Sequence, residues 1–300
     1  MKILITGGTG LVGSFLTELL LSNNMEVIVL SRSVKESKVK GLSYAVWDVA
    51  QETIDVAAIC GVDHIIHLAG ANIGDKRWTD KQKNLIIDSR VKTADLIYKT
   101  LKENKHQVKT FVSASGADCY GIKTTNNIYK ESDNFGTDFL AKVCDAWENA
   151  ANQFNHLGIR TVCLRTGVVC ASKDSALQKM ILPIKLCFGS PLGLGKQVMS
   201  LIHIYDLCNM YLHAINNVEL QGAYNAVAVN KTNEEVTKKV AKILNKPLFM
   251  PKVPAFMLRL FFGEMASIIL EGSAVDNTKI KATGFEFKYA SLESVLKEAL

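Results

Sequence analysis

The sequence predicts an α/β fold, a doubly wound parallel sheet carrying a smaller C-terminal α/β subdomain. Three observations predict it. Short β-rich apolar runs alternate with longer stretches of helical period. The first such run leads straight into a glycine-rich turn and then a helix. The 300 residues, 48% hydrophobic and 21% charged, suffice for one large core with an appendage or for two closely joined domains.

The elements follow in order. Lys2–Thr6 reads as a strand, because its apolar start at Ile3–Ile5 gives way at once to glycine and is too short for a signal peptide. A helix over Leu11–Ser22 and a strand over Glu26–Leu30 come next, and Trp47-Asp48-Val49 follows a third strand. His64–Leu68, Thr110–Ser113 and Arg160–Leu164 are further strands, with helices at Asp88–Leu101 and Phe139–Phe154 between them and a shorter one at Asn209–Ile215. This alternation is the pattern of βαβ units, whose parallel sheet is covered on both faces. After Val168 the regularity fades into turns at Gly189, Gly193 and Gly195. It resumes as helices at Asn233–Leu244 and around Phe256–Leu270, the latter apolar except for Arg259 and Glu264 and expected to pack on its own domain. The predicted division is 1–167, with 198–216 returning to it, and an interleaved smaller part, 168–300.

The formal charge of +6 is mild and scattered, which argues against a nucleic-acid partner and leaves room for an anionic small ligand. Seven cysteines form no CxxC pair and mostly sit in apolar stretches, as reduced, buried thiols of a cytoplasmic protein do. No apolar segment approaches the ~20 residues that span a bilayer. Neither a membrane nor a metal site is expected, and the chain is expected to be a monomer or homodimer.

The most informative segment is Gly7-Gly8-Thr9-Gly10-Leu11-Val12-Gly13, between the first strand and the first helix. One glycine permits the tight turn, one lets the backbone approach a pyrophosphate, and one lets the helix pack closely on the strand. Free N–H groups and the helix dipole then meet the anion. In this context the turn predicts a Rossmann dinucleotide site. At the end of the second strand, where NAD enzymes place a carboxylate on the ribose 2′-hydroxyl, stand Ser31, Arg32 and Ser33. Two hydroxyls and a forked guanidinium suit a 2′-phosphate, so NADP(H) is the expected cofactor. Asp48 and Val49 are placed to meet the adenine, and Leu68, Ala69, Gly70 and Ala71 offer small side chains along the cofactor.

With these residues in view, the chain resembles the extended short-chain dehydrogenase-like proteins labelled as sugar-nucleotide epimerase relatives, over its whole length. The blocks that carry the likeness include Gly7–Gly13, Ala69-Gly70-Ala71, Arg77-Trp78-Thr79, Ser89-Arg90, Trp147-Glu148, Leu164-Arg165-Thr166-Gly167, His203-Ile204-Tyr205-Asp206 and Gly284-Phe285-Glu286-Phe287. The resemblance implies NADP(H) binding and an oxidoreductase or epimerase label with no settled substrate. It also exposes a departure. Aligned on Trp147-Glu148, the tyrosine and lysine that transfer the proton in the wider superfamily are replaced by Leu140 and Cys144. Tyr98 with Lys102 repeats the spacing on an earlier helix, by coincidence.

Ser115, one residue from the expected serine position, and Arg90, at the expected asparagine position, are the candidate catalytic residues. Arg165 at a strand end, and Trp78 and Arg77 in the loop after Ala71, are candidates for holding a small carbonyl or sugar-like substrate. His203 and Asp206 read as a packed histidine and an N-cap or first-turn acid. The expected activity is NADPH-dependent reduction or epimerisation with an oxyanion partner supplied by Ser115, Arg90 or a bound water. The alternative is a non-catalytic NADP(H) sensor.

Overall fold

A computed structural model describes all 300 residues. The first half runs β1 (Lys2–Thr6), α1 (Leu11–Ser22), β2 (Glu26–Ser31), β3 (Leu42–Asp48), β4 (Thr53–Ile54), α2 (Val56–Cys60), β5 (His64–His67), α3 (Asp80–Glu103), β6 (Thr110–Gly116), β7 (Ile128–Tyr129) and α4 (Phe139–Asn152). The second runs β8 (Arg160–Thr166), β9 (Val168–Cys170), α5 (Ala176–Lys185), β10 (Val198–His203), α6 (Ile204–Asn216), β11 (Gly222–Ala226), β12 (Val229–Thr232), α7 (Asn233–Ile243), α8 (Ala255–Phe262), α9 (Ser267–Leu270), β13 (Ala274–Val275), α10 (Thr278–Lys281) and α11 (Leu292–Ala299).

Eight strands form the main sheet in the order β11-β8-β6-β5-β1-β2-β3-β4, every pair parallel except β3 with β4. The chain leaves β1 toward β2 and β3, then returns to the other side at β5. The switch point therefore lies between the carboxyl ends of β1 and β5, where open α/β sheets hold ligands. Alternate residues of β1 feed opposite cores: Ile3 and Ile5 meet Leu16 and Leu20 of α1 and the apolar face of α6, while Leu4 packs with Ile65, Ala94 and Phe111. Burial on both faces is why these strands read as unbroken apolar runs. Truncating Leu16 or Leu20, both fully buried, to alanine costs about 2–5 kcal/mol.

The chain's return to the main layer goes further than 198–216. Helix α6 joins the α1 core, but β10 pairs with β9 and β12 in a separate three-stranded sheet, and β11 extends the main sheet beyond β8. Helix α3 begins eight residues before the sequence reading, capped by Thr79, whose hydroxyl accepts from Gln82 N at 3.3 Å. Its first turns are mostly polar, so the apolar period is faint there.

The segment around Phe256–Leu270 departs most from expectation. It is broken by Gly263 at φ +62° into α8, one 3-10 turn and α9. Leu258, Met265 and Ala266 turn inward, whereas Phe256, Leu260 and Phe261 are 70%, 70% and 67% exposed, so the apolar outer face of α8 does not pack on its own domain. Polar ties add to the Met265 packing in holding the segment: Leu260 O accepts from Arg77, Glu264 pairs with Lys83, and Gln197 donates to Ile269 O.

Candidate active site

The turn after β1 is shaped by contacts that admit only glycine. Gly7 has φ +69°, and a Cβ there would lie 2.9 Å from the Leu68 carbonyl carbon. A Cβ on Gly13 would lie 2.6 Å from Gly8 Cα and closer still to Gly7 O. Helix α1 starts at Gly10 with no side-chain cap, which leaves its first N–H groups directed outward beside exposed Thr9 and half-buried Leu11 and Val12. Thr6 Oγ1 accepts from both Leu68 N and Ala69 N at 3.1 Å, binding the loop after β5 to the end of β1. A backbone cradle for a pyrophosphate, open on the sheet edge at the switch point, is the result.

At the end of β2, Ser31 is buried and its hydroxyl accepts from Ser33 N at 3.3 Å, which shapes the turn. Arg32 and Ser33 are exposed, and the Arg32 guanidinium has no carboxylate partner. Asp48 is exposed and its Oδ1 caps the following turn by accepting from Ala50 N and Gln51 N, while Val49 packs on the second core. The set fits a dinucleotide: a glycine cradle, small residues at Ala69, Gly70 and Ala71, and a free cation where the adenosine ribose belongs.

Deeper along the same edge lie two buried arginines. Arg165, at the end of β8, is 4% exposed, and its Nε and Nη2 donate to Glu148 Oε1 and Oε2 at 2.8 and 2.9 Å. Its Nη1 donates to Tyr120 Oη at 2.9 Å, and that hydroxyl donates onward to Asn225 Oδ1. Burial alone would pull the guanidinium down, but the hydrogen bonds and charge of Glu148 carry it above its ordinary value. Ser115, 3% exposed, donates to Glu148 Oε1 at 2.7 Å.

Arg90, on α3, is 5% exposed and has no such partner. Its Nη1 donates to Ala71 O at 3.1 Å and Ile86 O at 2.8 Å, its Nε is sealed from solvent without a hydrogen bond, and Nη2 makes none. The guanidinium lies 4.6 Å from the Trp147 ring and against Gly70, where a Cβ would lie 2.9 Å from Cζ. Burial lowers it to about 10, with the Cys144 thiol as the ionisable neighbour. Cys144 in turn rests on Gly116, and burial pushes its thiol up to about 12, so it stays protonated. Trp147 is held by His67, whose Nδ1 accepts its indole N–H at 3.3 Å and whose Nε2 meets Thr93 Oγ1 at 2.9 Å; burial keeps this imidazole neutral, at about 3.

The other candidate residues have these contacts within the chain. Arg165 neutralises Glu148 inside the protein. Ser115 donates its hydroxyl hydrogen bond to the same carboxylate. Trp78 is 8% exposed, donates from Nε1 to Ile73 O and meets Phe139 edge-on, so it packs rather than covers a ligand. Arg77, exposed, clasps α8. As expected, His203 is a buried histidine and Asp206 a first-turn acid of α6; His203 also caps the helix, and Asp206 accepts from Lys288 N and Tyr289 N, anchoring the C-terminal segment. Sequence reasoning missed Glu148 and His67 as site-building residues. The signal for Glu148 was present: Ala141, Cys144, Glu148 and Ala151 follow helical spacing and are all buried, so a carboxylate stands on the apolar face of α4.

The cradle, the switch point and the parallel sheet define a dinucleotide-binding Rossmann protein. The chain belongs to the NAD dependent epimerase/dehydratase family, whose sequence pattern matches residues 3–229; a domain of unknown function (DUF1731) matches 253–299. It is 33% identical over 301 residues to the epimerase family protein YfhF of Bacillus subtilis (strain 168), covering 100% of this chain and 98% of that one. The crystal structure of human epimerase family protein SDR39U1 (isoform 2) with NADPH superposes with a TM-score of 0.87 at 30% identity, covering 100% of this chain and 99% of that chain. A UDP-glucose 4-epimerase of Thermus thermophilus, complexed with NAD, shares the fold at TM-score 0.77 and 19% identity, covering 100% and 97% of the two chains. Family membership carries NAD(P) binding by an oxidoreductase-like Rossmann protein. No helix is long and apolar enough to cross a membrane.

Proposed function

We propose that the chain binds NADP(H) and is an oxidoreductase acting on a small carbonyl compound without a tyrosine–lysine proton relay. The observation that carries the cofactor reading is Arg32, exposed and free of any carboxylate at the end of β2, between two serines and beside the glycine cradle. The human relative crystallised with NADPH supports it. A bound nicotinamide supplies the hydride, NADPH becoming NADP⁺ as a carbonyl carbon becomes an alcohol carbon. The chain's part is to orient the carbonyl, to exclude water and to balance the charge that grows on oxygen. Leu140 and Cys144 bring no proton to that oxygen, and Ser115 is held by Glu148, so the proton comes from solvent. Arg90 is the cation at the sheet edge with no carboxylate beside it. Its field favours an oxyanion.

Titration of the apo-protein with NADPH and NADH, then incubation of the NADPH complex with aldehydes, ketones and quinones, tests both halves. Tight NADPH binding with turnover is expected. Arg32→Ala is expected to weaken NADPH by about tenfold to a hundredfold while leaving NADH within about twofold; equal losses for both remove the case for phosphate recognition. Tight binding without turnover across the panel favours the second reading, an NADP(H) sensor, for which Leu140 and Cys144 at the relay positions are the supporting observation.

A further inference from the structure

We infer that the free Nε/Nη2 edge of Arg90 is the receptor for a carboxylate on the substrate, which makes the substrate an anionic carbonyl compound of the 2-oxo acid kind. This rests on the cofactor reading above. Arg165 shows, in the same protein, what that edge does when it is satisfied: Nε and Nη2 grip both oxygens of Glu148. Arg90 uses only Nη1, on two backbone carbonyls, and leaves the corresponding edge with no acceptor although the residue is 5% exposed. A guanidinium so buried loses its hydration, and its forked geometry matches two coplanar oxygens of one ligand group.

Position narrows the ligand. The Gly7 turn abuts Leu68 and Ala69, and Arg90 abuts Gly70 and Ala71, so the guanidinium is one step beyond the pyrophosphate cradle along the same loop. On its other side stand Trp147 and Cys144 of α4, with Gly116 at the end of β6 against the thiol. This is the edge where a substrate meets the far end of an extended dinucleotide. The cofactor's own anions have other receptors: the cradle takes the pyrophosphate, and Arg32 the 2′-phosphate. A carboxylate next to the carbonyl would be held by the fork while the carbonyl faces the nicotinamide.

The test uses oxamate, a carboxylate joined to an amide that hydride does not reduce, and acetamide, which lacks the carboxylate. Binding to the NADPH complex is read as a change in NADPH fluorescence and by calorimetry. Oxamate is expected to bind saturably and acetamide not at all. Arg90→Met should weaken oxamate by about a hundredfold, and Arg90→Lys, which keeps the charge and loses the fork, by about tenfold. NADPH affinity should stay within about threefold in both variants. Undiminished oxamate binding by Arg90→Met overturns the inference. So does a loss of NADPH affinity equal to the loss of oxamate, which would assign the fork to the cofactor. NADPH binding with no oxamate response removes this inference alone, whereas no NADPH binding removes the cofactor reading with it.

Discussion

Arg165 and Arg90 are both nearly sealed from water and lie on the same edge of the sheet, yet one is neutralised by the protein and the other is not. Arg165 ties β8, α4, the turn at Tyr120 and β11 together through Glu148, Tyr120 and Asn225. Arg90 is fixed by two backbone carbonyls and an indole face, and keeps its charge available. The contrast teaches how to tell a structural buried arginine from a receptive one: burial is equal in the two, and only the edge that carries the fork distinguishes them.

Breaking the Arg165 side should give the largest effect. Arg165→Met strands the Glu148 carboxylate in the interior and is expected to cost about 3–5 kcal/mol by denaturant unfolding. Adding Glu148→Leu should recover most of that loss; no recovery would mean that the pair acts through packing alone. Acid comes next. His67 and His64 are neutral when folded, held down to about 3 and about 4 by burial, and titrate near 6.5 when unfolded. Below pH 6.5 the unfolded chain therefore binds more protons, so stability falls as pH falls toward 4, by about 1.4 kcal/mol per pH unit for each group. His67→Gln should flatten this slope by roughly one group's share, measured as the urea midpoint against pH. The smallest effect is expected at Arg90, where removal strands no carboxylate: Arg90→Met should leave the apo-protein within about 1 kcal/mol of wild type. A loss as large as that of Arg165→Met would erase the distinction between the two arginines.

The sheet and the cofactor cradle were legible in the sequence because both are local. A period of two, a period near 3.6 and a strand–glycine–helix junction are properties of neighbouring residues, and Gly7 and Gly13 announce close backbone approach on their own. The inner site was not legible, because its meaning lies in pairings across the fold. Arg165 and Glu148 are 17 residues apart on different elements, and Ser115 is 33 from Glu148, so no spacing showed that all three converge. Trp78 is undecided in sequence for a related reason: an indole in a substrate-side loop looks the same whether its N–H meets a ligand or, as here, Ile73 O. The α8 segment erred in the opposite direction, since an apolar run predicts burial while Phe256, Leu260 and Phe261 face outward.

The contact between Gly70 and Arg90 couples the loop after β5 to the guanidinium. A Cβ at position 70 would lie 2.9 Å from the guanidinium carbon, so a side chain there displaces the Arg90 head from its place against the loop. Across the helix interface the space is closed in the same way: a lysine placed at position 144 would set a second cation beside Arg90 where burial already lowers the guanidinium, and each charge would disfavour the other.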